Sequence, residues 1–133
     1  MNELDGTTLN KKGFAYLNLL DQDVWVPFTP VFGSLTVVGA TTYTGRMRAV
    51  GRLLFFQVTF LAATSIASTA GTDYLTLPIL AKGLAGQATM TNDTTNIAVG
   101  TCHIDVTNSR CYLPTQIASG NTFTLAGWFE IGV

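Results

Sequence analysis

TTYTGRMRAVGRLLFFQVTF, residues Thr41–Phe60, is typical of a β-hairpin. β-branched and aromatic residues, which favour strands, are frequent in Tyr43–Val50 and Leu53–Phe60. Gly51 and Arg52 stand between the two strands, where a glycine supplies the turn conformations that other residues resist. Alternate residues of a strand point to opposite faces. One face of the second strand is entirely apolar, so we expect it on a hydrophobic core: Leu54, Phe56, Val58 and Phe60.

The opposite face of the same strand carries Leu53, Phe55, Gln57 and Thr59. A strand at the surface of a lone domain normally presents polar residues to water. Leu53 and Phe55 therefore predict a second packed surface, against either another sheet or another subunit.

Three of the seven basic residues, Arg46, Arg48 and Arg52, fall in this hairpin. One interpretation is a solvated rim that keeps a sheet edge from aggregating. The other is a set of guanidinium groups that bind carboxylates of a neighbouring subunit or of a receptor.

Composition narrows the class of protein. A chain of 133 residues is the usual length of one domain. Only 11% of its residues are charged, against about 25% in ordinary soluble domains, and the net charge is −1. No general field would draw it to nucleic acid or to an anionic membrane. The 47% of apolar residues include no run near the ~20 residues of a membrane helix. An apolar, charge-poor chain of this kind is expected to hide part of its surface in an oligomer.

The first 24 residues differ from the rest and predict an N-terminal arm, followed by a β-sandwich domain over residues 25–133. Met1–Lys12 is polar and shows no sustained period. A compact apolar patch follows it: Phe14, Tyr16, Leu17, Leu19 and Leu20. This patch is either an edge strand or short helix that covers one end of the sandwich, or a docking segment that reaches a neighbour.

Short strands with turn signals between them predict an all-β sandwich or barrel. Pro27 and Pro30 restrict Trp25–Phe32 to an edge or a linker, because proline donates no ladder hydrogen bond. Leu61–Gly71 is expected to be a loop with at most a brief strand at its start. The further predicted strands are Leu35–Val38, Tyr74–Ile79, a weak strand over Gly86–Met90, Ile97–Val99, Thr101–Val106, Cys111–Leu113 and Thr122–Ile131.

Cys102 and Cys111 bracket a predicted hairpin. With Asn108 and Ser109 as a two-residue turn, Val106 would face Cys111 and Thr115 would face Cys102. The sulfurs would not oppose each other in that register, so two buried, reduced thiols are expected.

No constellation of residues predicts catalysis, a metal site or a cofactor. His103 and Asp105 share a strand face, but one histidine and one carboxylate fall short of the three ligands of a catalytic zinc. The basic residues are few and do not alternate with aromatic ones, which argues against nucleic-acid binding. A saccharide is a possible ligand: Trp128 could stack on a sugar ring, and the loop residues Asn92 and Asp93 could supply hydrogen bonds.

The hairpin sequence Thr42–Thr59, together with Leu35–Gly39, Ser68–Pro78 and Thr124–Ile131, resembles small β-structured bacteriophage virion proteins and fibre-tip domains. The resemblance covers Trp25–Val133. It implies a jelly-roll-like antiparallel sandwich, usually trimeric, located in the virion. The chain lacks the shaft repeats, the collagen-like glycine period and the long coiled coil of fibre proteins, which argues against a full-length tail fibre.

Two functions agree with this resemblance. The first is a non-enzymatic structural protein of the virion: a homotrimeric surface unit, such as a capsid decoration or a short head or tail appendage, whose arm attaches it to other virion proteins. The second is a receptor- or glycan-binding tail-fibre tip that recognises a host surface glycan. In both cases Leu53, Phe55 and the three arginines are expected at the subunit interface.

Overall fold

The computed structural model describes residues 24–79 and 81–131, and only the backbone at residues 82–85. These residues contain twelve strands and no helix. No helix in this part of the chain could therefore span a membrane. In chain order the strands are β1 Val26–Phe28, β2 Val31–Gly33, β3 Thr36–Val38, β4 Thr42–Val50, β5 Leu53–Leu61, β6 Ser65–Ser68, β7 Tyr74–Thr76, β8 Ala81–Asn92, β9 Ile97–Asp105, β10 Arg110–Tyr112, β11 Gln116–Ser119 and β12 Thr122–Ile131.

Nine of the strands form one antiparallel sheet in the order β1-β4-β5-β12-β8-β9-β10-β7-β2, and the other three form a small sheet in the order β11-β6-β3. The large sheet curls until its two ends meet. The ring of Phe32 on β2 lies 5.3 Å from that of Tyr43 on β4 and 5.3 Å from that of Phe60 on β5. The two halves of the sheet thus enclose one core, which confirms the predicted all-β, antiparallel, sandwich-like fold.

The β4–β5 hairpin has the strands and faces that its sequence predicts. Leu54, Val58 and Phe60 are completely buried on the core side, and Phe56 is 1% exposed. Gly51 occupies the turn with φ near 62°, a left-handed conformation that suits glycine. The alternation of apolar and mixed residues on β5 therefore sets which side of the sheet faces the core.

β12 lies between β5 and β8 and completes the core. Phe123 stacks on Phe60 at 5.5 Å between ring centroids, and Phe129 lies 5.9 Å from Phe56. Between these rings, a Cβ at Gly127 would overlap the carbonyl oxygen of Gln87 on β8. Glycine is required there because β8 approaches β12 too closely for any side chain.

The proline-containing segment forms edge strands, as predicted: β1 and β2 stand at opposite ends of the large sheet. Three other predictions fall short. β8 is longer than the predicted Gly86–Met90, and β9 is one continuous strand. β6 lies in the middle of the segment predicted to be a loop. β8 and β6 gain hydrogen bonds from strands distant in sequence, β8 from β12 and β6 from β3 and β11, whereas β9 pairs along its length with its neighbours β8 and β10.

The predicted register of the cysteine hairpin is wrong. Ile104, not Val106, lies opposite Cys111, and Thr115 lies beyond the end of β10. The turn takes residues 106–109 rather than two, because the Asp105 carboxylate accepts hydrogen bonds from the backbone N–H groups of Thr107 and Asn108.

The expected pair of free, buried thiols is confirmed for Cys102 and Cys111. Their hydrogen bond, together with burial, raises the pKa of Cys111 well above that of an ordinary thiol.

Replacing Phe56 tests the assignment of the two faces of β5. We expect Phe56→Ala to lower the free energy of unfolding by about 3–5 kcal/mol, because it leaves a cavity between β5 and β12. Thr59→Ala, on the opposite face of the same strand, should cost less than about 1 kcal/mol. Urea unfolding of both variants measures the difference, and equal losses would contradict the assignment.

Candidate interaction surface

The side chains of β1, β4, β5, β12 and the adjoining β8 that point away from the core form the outer face of the sheet. Arg48 lies opposite Phe55, and Phe55 lies opposite Trp128. Trp25, the residue before β1, stands beside Arg48 because β1 pairs with β4. Trp25, Arg48, Phe55 and Trp128 therefore make one row across four strands, the aromatic row.

The aromatic row borders an apolar groove of about 410 Å³ between Trp25, Phe55 and Trp128. Trp25 is 37% exposed, while Phe55 and Trp128 are half-buried within the single chain. Leu53 is also half-buried and lies opposite Val50, which is exposed. Leu53 and Phe55 thus lie two residues apart on the outer side of β5, as their strand face predicts, with Phe55 in the groove and Leu53 opposite Glu130 of β12.

The arginines of the hairpin occupy two different places. The guanidinium carbons of Arg46 and Arg48 lie 4.5 Å and 5.5 Å from the centre of the Trp25 ring, within reach of a cation–π interaction. Arg46 also donates a hydrogen bond from Nε to Oε1 of Gln57, at 2.7 Å. Arg52 lies in the exposed turn. Two of the three arginines expected at the subunit interface therefore lie beside Trp25, at the edge of the apolar groove.

A second row on the outer face consists of threonines: Thr44, Thr59, Thr124 and Thr91 on β4, β5, β12 and β8. The Thr59 and Thr124 hydroxyls are 3.4 Å apart, and the Thr91 hydroxyl oxygen lies 3.4 Å from the carbonyl oxygen of Thr124. The outer face therefore changes from aromatic to hydroxylic along the strands. We call this second row the threonine row.

Asn92 and Asp93, which the sequence suggested as ligand-facing, are engaged in the turn that joins β8 to β9. The Asn92 side-chain oxygen accepts hydrogen bonds from the backbone N–H groups of Thr94 and Thr95. The Asp93 carboxylate accepts from the hydroxyls of Thr91 and Thr124. Trp128 lies four residues further along β12 than Thr124, about 13 Å away. The structure does not bring these two side chains together with Trp128.

The other suggested pair, His103 and Asp105, lies on the outer side of β9. The His103 ring is stacked on that of Tyr112 at 6.4 Å, and Tyr112 contacts Tyr74 edge-on. The guanidinium of Arg110 lies 4.2 Å from the centre of the Tyr74 ring. Asp105 is engaged by Asn108, whose amide donates to its carboxylate at 2.8 Å. Within the described ranges, no three His, Cys, Asp or Glu residues are grouped as a metal site requires.

A wide groove of about 600 Å³ adjoins this cluster. His103, Tyr112 and Pro114 line it with rings, and the hydroxyl-bearing residues Thr101 and Thr115 line it with them. The Thr115 hydroxyl already accepts a hydrogen bond from the backbone N–H of Ala70. Among the described residues that line this groove, none is a carboxylate, a lysine or an arginine.

The arm residues expected to attach the protein to a particle lie outside the described residues: Phe14, Tyr16, Leu17, Leu19 and Leu20. Sequence reasoning also missed two features of the outer face, Trp25 and the threonine row. Threonines at alternate positions of Thr42–Thr44 and Thr122–Thr124 were a signal for the latter. That signal becomes a row only when β12 is known to pair with β5.

Comparison with known proteins gives no relative: no family model, no curated protein and no solved structure matches the chain.

The turn at Asp105 leads to a prediction on pH. Hydrogen bonds from Asn108, above all from its side chain, lower the pKa of Asp105 below the ordinary 3.8. A carboxylate with a lowered pKa stabilises the folded state above its unfolded pKa, and this contribution is lost as the pH falls through the folded value. We therefore expect Asp105→Asn to be less stable than wild type at pH 7, with the difference vanishing in acid.

Denaturant unfolding between pH 7 and pH 2 measures this difference. The gap should begin to close near pH 3.8. Asn108→Ala is the matched control, because it removes the first cause of the shift and should shrink the gap. A gap of the same size at both ends of the pH range would contradict the assignment.

Proposed function

We propose that this chain is a non-enzymatic structural protein of a bacteriophage virion, a homotrimeric surface unit held to the particle by its N-terminal arm. The observation that carries the proposal is the outer face. The core is closed within one chain, yet Phe55 and the two tryptophans line an apolar groove beyond it, and Leu53 lies two residues from Phe55 on the same face. Large contiguous apolar patches on a protein surface mark sites of protein–protein contact.

The energetics favour repetition of such a contact. Complete burial of a Leu or Phe side chain stabilises by about 1.5–3 kcal/mol relative to exposure. Leu53 and Phe55 are half-buried, so contact with a neighbouring subunit would stabilise the assembly by part of that free energy at each position. In a closed trimer the same contact occurs three times, which offsets the entropy lost on association. The resemblance of the sequence to virion proteins, which are usually trimeric, supports the same assembly.

The polar residues support a structural rather than a chemical role. Asp93 and Asn92 order a turn, and Asp105 orders another. His103 is engaged in ring stacking with Tyr112. In each case the side chain with catalytic potential is part of the local architecture.

A receptor- or glycan-binding tail-fibre tip is the second candidate. The observation that favours it is the groove of about 600 Å³ beside His103 and Tyr112. The rings and hydroxyl groups among the described residues of its lining suit a neutral polyhydroxylated ligand such as a host surface glycan.

Light scattering at micromolar concentration tests the assembly. We expect three times the monomer mass for wild type and a shift toward the monomer for Phe55→Ser, because the substitution removes an apolar anchor from the outer face. Val31→Ser is the matched control, since Val31 is 60% exposed on β2, which is not one of the strands of the outer face. A monomeric wild type would overturn the proposed trimer.

Deletion of residues 1–20 tests attachment. We expect the shortened chain to keep a cooperative unfolding transition but to be lost from purified particles, because the segment outside the sandwich makes the contact. Tyr112→Ala, in the wide groove, should remain on the particles at the wild-type level. If the deletion variant is retained and Tyr112→Ala abolishes host adsorption, the fibre-tip function replaces the structural one.

A further inference from the structure

We propose that the outer face of one copy is the docking site for residues 14–23 of a neighbouring copy. This inference rests on the proposed trimer and deepens it, because it names the partner of the aromatic row. The polar residues 1–13 then remain for contact with the rest of the particle.

Charge complementarity supports this pairing. Four of the eight acidic residues precede Val24, and two of them, Asp21 and Asp23, stand directly after the apolar patch. The outer face carries Arg46 and Arg48 beside Trp25, with Arg52 in the adjoining turn. The acidic pair and the arginine edge have opposite charge, and both adjoin apolar residues.

The spacing of residues along the segment also agrees with the spacing of residues across the outer face. An extended segment advances about 3.3 Å per residue, so Leu20 and Leu17 lie about 3–20 Å before the acidic pair. On the face, the arginines of β4 are two strands from Trp128 on β12, about 10 Å at the usual strand spacing. With Asp21 and Asp23 at the arginines, the leucines reach the groove between Phe55 and Trp128.

The proposed trimer favours a neighbour's segment over the chain's own, because an arm that covers its own face makes no contact between copies there. Only four residues, Asp-Gln-Asp-Val, join Leu20 to Trp25. Aspartate is common in turns, so this stretch is compatible with either arrangement. Dilution separates the two, because only a neighbour's arm is released when the copies dissociate.

A contact between the arm of one copy and the outer face of the next (an arm-on-face contact) also permits a closed ring. It joins two different surfaces, so each copy donates one arm and accepts another. Contacts of this heterologous kind close into a ring when the rotation between copies permits it, and otherwise extend into a filament. A trimer is the closed form that the proposed function requires.

The chain provides its own reporter, because its two tryptophans, Trp25 and Trp128, both stand on the outer face. Their emission and their quenching by acrylamide therefore measure whether the face is covered. We expect full-length wild type to show blue-shifted, protected emission as a trimer, and to lose both on dilution to the monomer.

The first variant is Leu17→Ser/Leu20→Ser, which leaves the sandwich unchanged. Loss of each buried leucine should raise the dissociation constant about ten- to hundredfold. We expect a monomer with red-shifted emission and wild-type cooperative unfolding. A trimer with protected tryptophans would overturn the inference while leaving the proposed trimer intact.

Mixing provides the sharper test. The double-leucine variant has an intact face and a defective arm, and Phe55→Ser has an intact arm and a defective face. An equimolar mixture should form a one-to-one dimer through the single remaining arm-on-face contact, whereas each variant alone is monomeric. A mixture that stays monomeric would overturn the inference. A monomeric wild type whose tryptophans stay protected at every dilution would also overturn it, because the chain's own arm would then cover the face.

Discussion

The contact between the phenylalanines of β5 and those of β12 is the interaction on which the other parts of the structure depend. Phe56 meets Phe129, and Phe60 meets Phe123. A shift of one residue in this pairing would turn every side chain of a strand to the opposite face. These four rings therefore fix the core, and they also fix which residues stand on the outer face.

The sequence was sufficient to predict those strands whose structure depends on residues near one another in the chain. The second strand of the hairpin was predicted with its faces and β12 with its bounds, because a period of two in apolar residues has only one arrangement with a buried face. The cysteine hairpin was not, because its turn depends on whether Asp105 accepts backbone hydrogen bonds. The pattern of residues is compatible with both turn lengths, and the carboxylate decides between them.

β8 shows why other parts of the fold could not be predicted. Its alanines and glycines have low strand propensity, yet it runs over twelve residues. Its hydrogen bonds come from β12 on one side and β9 on the other. At Gly127 the close approach of β8 excludes a side chain. Small residues serve here to let backbones approach, which a propensity for isolated strands does not measure.

The outer face was predicted only in part, because some of its residues come together only through the pairing of distant strands. Leu53 and Phe55 follow from one strand, whereas Trp25 joins them only because β1 pairs with β4. The resulting face is divided: hydroxyls of the threonine row bond to one another and to Asp93, while the aromatic row has arginines at its edge. Hydroxyl groups of the threonine row can hydrogen-bond to water, whereas the apolar groove is stabilised when another surface covers it. In the proposed contact the acidic residues of a neighbour's segment lie at the arginine edge and its leucines lie in the groove, so the segment has one direction across the sheet.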